Sequence, residues 1–545
     1  MLQVIDLSCF FGEKVLFEEV SFQLNPGEKV GLVGINGSGK STLLKLIFGS
    51  MPLNKGGKVT GLAQEEMLHL DSKDVLFSDE PVSSVLAPNW HRAYSSYLDL
   101  SRDLESCSDE EELSRLLPGW GKALEFFERM GGFALEERLE KAIQEALGRG
   151  LPLATRLSSL SGGERMRVSL ASLLVGDFKL ALLDEPTNNL DKDSRDWLME
   201  FLPRRPESLL VVSHDREFLD RVCDRILYLE SHNKRLVSYQ GNYSWCVERR
   251  RVEKERLEIE ARVRRLLVSR LEEDVRSVKE QALKTERATT DDFLRARSKK
   301  VAAKAKAREA RLSKIIERAS CEPVGKERGG PRFVHGEFGC RGRNKDSPVI
   351  AARHMDVGFL DKVLVEDLCL ELRISQRVVI SGQNGCGKST LIKTLLGLLK
   401  PLRGELFVSS SLRTGYLSQA RLEDQLDSTV QELFFNADLG FDDKKLRREL
   451  SRIHLYDSAL NKKIYELSEG ERTRLSLILL LAAAPEILVL DEPTNHLDLV
   501  SIEALEDCLR DFTGGIVLVS HDSRFLENLS PDRVYEISDR RLRSL

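Results

Sequence analysis

A chain of 545 residues with 41% hydrophobic content is several times the usual domain length and can bury more than one core. Its longest apolar run, "LSLILLLAAAPEILVL" at 475–490, is broken by Ser476, Pro485 and Glu486, short of the roughly 20 residues a membrane span needs, so no membrane association is expected. A formal net charge of −5, nine scattered cysteines without a C-x-x-C pair, and an N-terminus lacking the basic and apolar regions of a secretory signal argue against a disulfide framework or zinc module and predict a cytoplasmic protein with reduced thiols.

In chain order, "MLQVIDLSCFFGEKV" reads as a strand and turn, and "VGLVGINGSGKSTLLKL" (30–46) as strand, glycine-rich loop and helix. The loop satisfies G-x-x-x-x-G-K-[ST]. Backbone N–H groups around Gly34, Asn36, Gly37, Gly39 and Thr42 can wrap phosphates at a helix N-terminus, Lys40 can reach the β- and γ-phosphates, and Ser41 can ligate Mg²⁺. "LSGGERMRVSL" (160–170), "LALLDEPTNNLD" (180–191) and "VVSHDREFL" (211–219) follow. Asp184 ends an apolar strand, where a carboxylate can hold Mg²⁺. Glu185 beside it is placed to polarise an attacking water, and His214 to contact a γ-phosphate.

All of this is then written again: "VVISGQNGCGKSTLIKT" (378–394), "LSEGERTRLSL" (467–477), "ILVLDEPTNHLD" (487–498) and "LVSHDSRFL" (518–526). The second copy supplies Gly382, Asn384, Gly385, Gly387, Lys388, Ser389 and Thr390 to a phosphate loop, and Asp491, Glu492 and His521 to the chemistry. Cys386, beside Lys388 and a helix N-terminus, is expected to have a lowered thiol pKa. The first copy carries about 48 extra residues between Gln64 and Ser161, counted against Gln419 and Ser468. Within this insertion Ala123, Phe126, Phe127 and Met130 fall at i, i+3, i+4 and i+7, which predicts an amphipathic helix in an arm over about 90–150.

Between the copies, residues 247–318 hold 23 Lys/Arg against 14 Asp/Glu. Ile259, Val263, Leu267, Leu271, Val275 and Val278 recur every three or four positions, predicting one long helix, with a turn at "TERATTDD" (285–292) and a second helix to about Arg318. On that second helix Arg297, Lys300, Lys304, Arg308 and Arg311 fall within an arc of about 80°, a cationic face for RNA phosphate. The fold class expected is α/β: two P-loop domains, 1–246 and 321–545, joined by a long α-helical hairpin at 247–320.

The two phosphate loops, "LSGGE", the two "DEPTN" segments and "SHD" resemble the ATP-binding cassette family over nearly the whole chain. The tandem cassettes, the arm and a charged linker preceded by "YQGNYSWCVERR" (239–250) resemble its ABC-F branch. That resemblance implies an ATPase acting on the ribosome, in translation or antibiotic resistance, with contacts to large-subunit ribosomal RNA near the tRNA exit site and a tRNA as a further partner. It implies a monomer whose cassettes pair head to tail. Ser161, Gly162, Gly163 and Glu164 would cap the nucleotide on Lys388, and Ser468, Gly470 and Glu471 the one on Lys40. It assigns Phe11 and Phe359 to adenine stacking, and Gln64 and Gln419 to the Mg²⁺ and water region. Alternatives are the ATPase subunit of a transporter with a separate membrane partner and a DNA-maintenance ATPase. Two departures stand out: Glu469 where the family has glycine, placing a carboxylate either near a γ-phosphate or at a helix cap, and Asn189 where the second copy has His496.

Overall fold

The computed structural model describes residues 1–287 except 12–13, 53–56, 108–109, 189 and 231–232, and 348–545 except 360–361, 384, 418–421, 423–424, 438–441, 454, 456–458 and 496. Between these blocks it describes 303, 306, 307, 310 and 333. The five cations of the basic stripe, and Asn384 and Gln419, lie outside the described residues.

Each cassette pairs a three-stranded antiparallel sheet with a six-stranded, mostly parallel one. In the first, β1 (Leu2–Phe11), β2 (Lys14–Leu24) and β4 (Lys58–Thr60) form the order β2-β1-β4. Then β3 (Lys29–Gly34), β5 (Met67–Asp71), β6 (Leu180–Asp184), β7 (Ser208–Val212), β8 (Arg225–Leu229) and β9 (Leu236–Gln240) form β5-β6-β7-β3-β8-β9. The second cassette repeats both sheets. Its β10 (Pro348–Phe359), β11 (Lys362–Arg373) and β13 (Arg403–Val408) form β11-β10-β13. Its β12 (Arg377–Gly382), β14 (Thr414–Leu417), β15 (Ile487–Asp491), β16 (Gly515–Val519), β17 (Arg533–Ser538) and β18 (Arg541–Ser544) form β14-β15-β16-β12-β17-β18. The central strands β3, β6 and β7 are buried along their whole length, which is why they read as continuous apolar runs rather than alternating ones.

The arm is three helices, Pro88–Ser106, Glu110–Arg129 and Gly132–Leu147. Trp90, Phe127, Leu139 and Ile143 are fully buried, and the Trp90 indole N–H donates to the Gly132 carbonyl at 2.8 Å. Of the predicted stripe, Ala123 and Phe127 are buried, whereas Phe126 is 45% exposed. The long linker helix runs Tyr243–Arg287, and Ile259, Val263 and Leu267 stand exposed along it.

Candidate nucleotide sites

The sites form where open α/β sheets place them, at the carboxyl ends of the central strands. β3 ends at Gly34 and the helix Lys40–Phe48 begins six residues on; β12 and the helix Lys388–Leu395 repeat the arrangement. The residue capping each helix must turn with positive φ: Gly39 at +102° and Gly387 at +106°. The lysines curl over their own loops. Lys40 Nζ donates to the Gly34 carbonyl at 2.8 Å and Lys388 Nζ to the Gly382 carbonyl at 2.6 Å. Burial depresses the Lys40 pKa, opposed by Glu185, Asp498 and Asp184.

Asp184 and Asp491 end β6 and β15, and each is hydrogen-bonded by the serine that follows the loop lysine, Ser41 or Ser389. Burial pushes the Asp184 carboxyl up to about 6 and raises that of Asp491. Asp184 Oδ1 is buried without a hydrogen-bond partner among the described residues. A divalent cation fits that orphaned oxygen.

Glu185 and Glu492 occupy left-handed backbone, φ +51° and +49°, a conformation that costs a non-glycine residue about 1–3 kcal/mol and clusters at functional sites. Both are pinned there, Glu185 N–H by the Val212 carbonyl and Glu492 N–H by that of Val519. His214 Nε2 lies 3.0 Å from Glu185 Oε1, and His521 Nε2 lies 3.4 Å from Glu492 Oε1 and 3.2 Å from Lys388 Nζ. The surroundings differ in effect. Burial opposes ionisation of Glu185, but His214 and Lys40 prevail and hold it below its ordinary value; burial raises Glu492. Burial, with Lys388 and Arg195, pushes His521 down to about 4.

Ser161 and Ser468 are helix N-caps in reciprocal capping boxes with Glu164 and Glu471. Gly163 is buried so tightly that an added Cβ would lie 2.4 Å from Ser194 Oγ, while Gly162 is half-buried and Gly470 buried. Glu469 is the first residue of the helix Glu469–Ala482, and its carboxylate makes an ion pair across the cassettes with Lys73 at 3.0 Å. Further links join the halves. Asn36 N–H donates to Asp498 Oδ2 at 2.9 Å, Gln383 Nε2 to Asp193 Oδ2 at 3.2 Å, and a buried Arg216–Glu506 pair lies at 3.1 Å. Each phosphate loop thus meets the segment that follows the other cassette's "DEPTN".

A cavity of about 570 Å³ opens beside Lys388, lined at one side by Phe359, Gly385, Gly387, Ser389 and Thr390 and at another by Arg195, His214 and Asp215 of the first cassette. Phe359 is 56% exposed; Phe11, its counterpart, ends β1.

Gln64 lies away from the Ser41–Asp184 pair. In register, Leu70 pairs with Leu183 as Leu417 pairs with Leu490, so Ser72 is the counterpart of Gln419 and Asp71 that of Ser418. Gln64 instead lies in the short turn Gln64–Glu66 before β5, and its Oε1 is 4.0 Å from a Cβ built at Gly49, which caps the far end of the Lys40 helix. Nine residues at about 1.5 Å each put that end roughly 13 Å from Lys40. Gln64 had only the family resemblance to carry it, and counted from Ser72 the insertion shrinks to about 40 residues. Cys386 is the other correction: burial raises its thiol, outweighing Lys388.

Two P-loop domains that face each other over paired Walker-type carboxylates define a tandem nucleotide-binding cassette ATPase. The family model described as "ABC transporter" matches residues 17–188 and again 365–495. The chain belongs to this family, and to its F branch. It is 31% identical over 538 residues to "ABC transporter F family member 5" of Arabidopsis thaliana, covering 96% of this chain and 73% of that protein. It is 32% identical over 526 residues to "Energy-dependent translational throttle protein EttA" of Mycobacterium tuberculosis, covering 95% and 88%. Among solved structures, "RNase-L Inhibitor" matches at TM-score 0.58 and 19% identity over 99% of this chain and 90% of that one. "Model of ribosome-bound archaeal Pelota and ABCE1" matches at 0.56 and 19% over 99% and 78%; both likenesses concern the fold. The chain is accordingly an ATPase with two nucleotide-binding cassettes. No helix among the described residues is long and apolar enough to cross a membrane.

Proposed function

We propose that the chain is a ribosome-acting ATPase in which ATP bound at two composite sites draws the cassettes together and hydrolysis releases them. In this reading Lys40 and Lys388 grip phosphates, and Ser41 with Asp184 and Ser389 with Asp491 hold Mg²⁺. Glu185 and Glu492 act as general bases, and His214 and His521 meet the γ-phosphate. The cross-cassette bond from the Asn36 N–H to Asp498 carries the reading, since a loop that cradles phosphate and simultaneously contacts the opposite cassette makes nucleotide part of the interface. A ribosomal partner is supported by the printed name of the mycobacterial relative and by the surplus of nine positive charges over residues 247–318. The large-subunit tRNA exit region is the place we assign to it, with Arg297, Lys300, Lys304, Arg308 and Arg311 on ribosomal RNA.

The test is co-sedimentation of the Glu185→Gln, Glu492→Gln double variant with ribosomes in ATP. The variant should bind ATP, fail to hydrolyse it and pellet with ribosomes more fully than the parent. Equal pelleting and parental hydrolysis would refute the proposal. Expression in a drug-sensitive host, with inhibitory concentrations for drugs of the large subunit, separates protection from a general role in translation.

A further inference from the structure

The helices that follow the two "DEPTN" segments begin alike. Asp191 caps Lys192–Phe201 through the Ser194 N–H, and Asp498 caps Leu499–Asp511 through the Ser501 N–H. The next residue breaks the symmetry: Arg195 in the first cassette, Ile502 in the second. Arg195 is 8% exposed and lines the cavity beside Lys388, on the other cassette. Its guanidinium donates to the His521 carbonyl across the interface and pairs with Asp215 of its own cassette. Its Nε is buried without a hydrogen-bond partner among the described residues. A buried guanidinium anchored by a carboxylate, with one donor to spare, is suited to holding neighbouring backbone beside a phosphate loop. Ile502, which lines the same cavity, has no donor to offer.

We propose that Arg195 is a positioning residue supplied in trans to the Lys388 site: held by Asp215 of its own cassette, it fixes the backbone of His521 across the interface. The inference rests on reading the Lys388 cavity as an ATP site. Arg195 also ties closure to competence, because its bond to the His521 carbonyl exists only while the cassettes face each other. The closed arrangement and the hydrolytic geometry are then one event at this site.

The experiment uses the full chain with Glu185→Gln, so that turnover reports the Lys388 site. Arg195→Ile, which copies Ile502, should lower kcat about tenfold or more while KM for ATP moves less than about threefold, and Arg195→Lys should recover most of the loss by keeping the charge. Unchanged kcat, or a loss that lysine does not rescue, overturns the proposal. So does an equal loss in a Glu492→Gln background, where turnover reports the Lys40 site, because that outcome marks a general weakening of the cassette pair. Should Arg195→Ile fail to fold, Arg195→Gln replaces it, with the same tenfold loss of kcat and the same rescue by lysine expected; an unchanged kcat in Arg195→Gln refutes the role. Binding of a fluorescent ATP analogue to Lys388→Ala tests the premise separately. One site lost of two supports it; two sites retained remove the ATP reading of this cavity, whatever Arg195 does.

Discussion

Replacing Glu469 by glycine measures which way its carboxylate acts. Were it aimed at a γ-phosphate about 4 Å away, repulsion at an effective dielectric of about 20 would reach about 4 kcal/mol, and its removal would raise affinity or turnover at the Lys40 site several-hundredfold. The observed partner is Lys73, at 3.0 Å, with the two side chains 60% and 50% exposed. Unit charges about 3 Å apart in water attract by about 1.4 kcal/mol, and exposed pairs typically keep 0.2–1 kcal/mol of that after side-chain ordering, about fivefold at most. With Glu492→Gln silencing the other site, Glu469→Gly and Lys73→Ala should each change turnover by less than about fivefold. Their double variant should show a coupling below about 1 kcal/mol that fades as salt rises. A hundredfold gain from Glu469→Gly alone, indifferent to Lys73, would show that the carboxylate faces nucleotide and refute the pairing.

Gln419→Ala should weaken Mn²⁺ binding to the nucleotide-loaded chain, read by electron paramagnetic resonance, whereas Gln64→Ala should leave it unchanged; equal effects would overturn the register argument. Asp184 is an acid whose folded pKa, about 6, lies above its ordinary 3.8. Between those values the folded state holds the extra proton, so nucleotide-free stability should fall as pH rises from about 4 to 6 and stay lowered above it, by about 2–3 kcal/mol at most. Asp184→Asn should therefore raise the nucleotide-free Tm at pH 8 and abolish the Tm gain from Mg²⁺ with ATP; a lowered Tm would contradict the burial argument. Finally, Glu492→Gln should remove most steady-state turnover and Glu185→Gln the lesser part, and equal losses would mean that the two sites work alike.

What was legible in the sequence is what repeats at fixed spacing. The phosphate loops, Asp184 with Glu185, Asp491 with Glu492, and the two histidines occupy strand ends and helix starts, positions that local pattern dictates. Gln64 rested on the family resemblance alone, and the residues between β4 and β5 are too weakly patterned to fix its register. Register follows the hydrogen-bonded partners of a strand, Leu70 with Leu183 here, and the chain order alone does not contain them. Left-handed φ at Glu185 and Glu492 was likewise hidden, since glutamate carries no preference for it. Cys386 was misjudged because proximity to Lys388 is visible in sequence and burial is not.

Three differences between the two sites fall on the Lys40 side. On the Lys40 side Ser72 stands at the sequence position of Gln419, a glutamate paired to Lys73 at that of Gly162, and an isoleucine at that of Arg195. Any one could be neutral drift on a symmetric scaffold, yet none of the three disturbs the parts that hold nucleotide: Lys40, Ser41, Asp184 and Asn36 keep their positions and bonds. They alter instead the groups that approach from the metal side, from the opposite signature helix and from the opposite "DEPTN" helix, the directions from which a closed cassette pair completes a reaction. Retained grip with altered closure separates holding from turning over. On the proposed reading, one nucleotide is a standing joint between the halves, and the Lys388 site, with its trans arginine, is where the clamp is released.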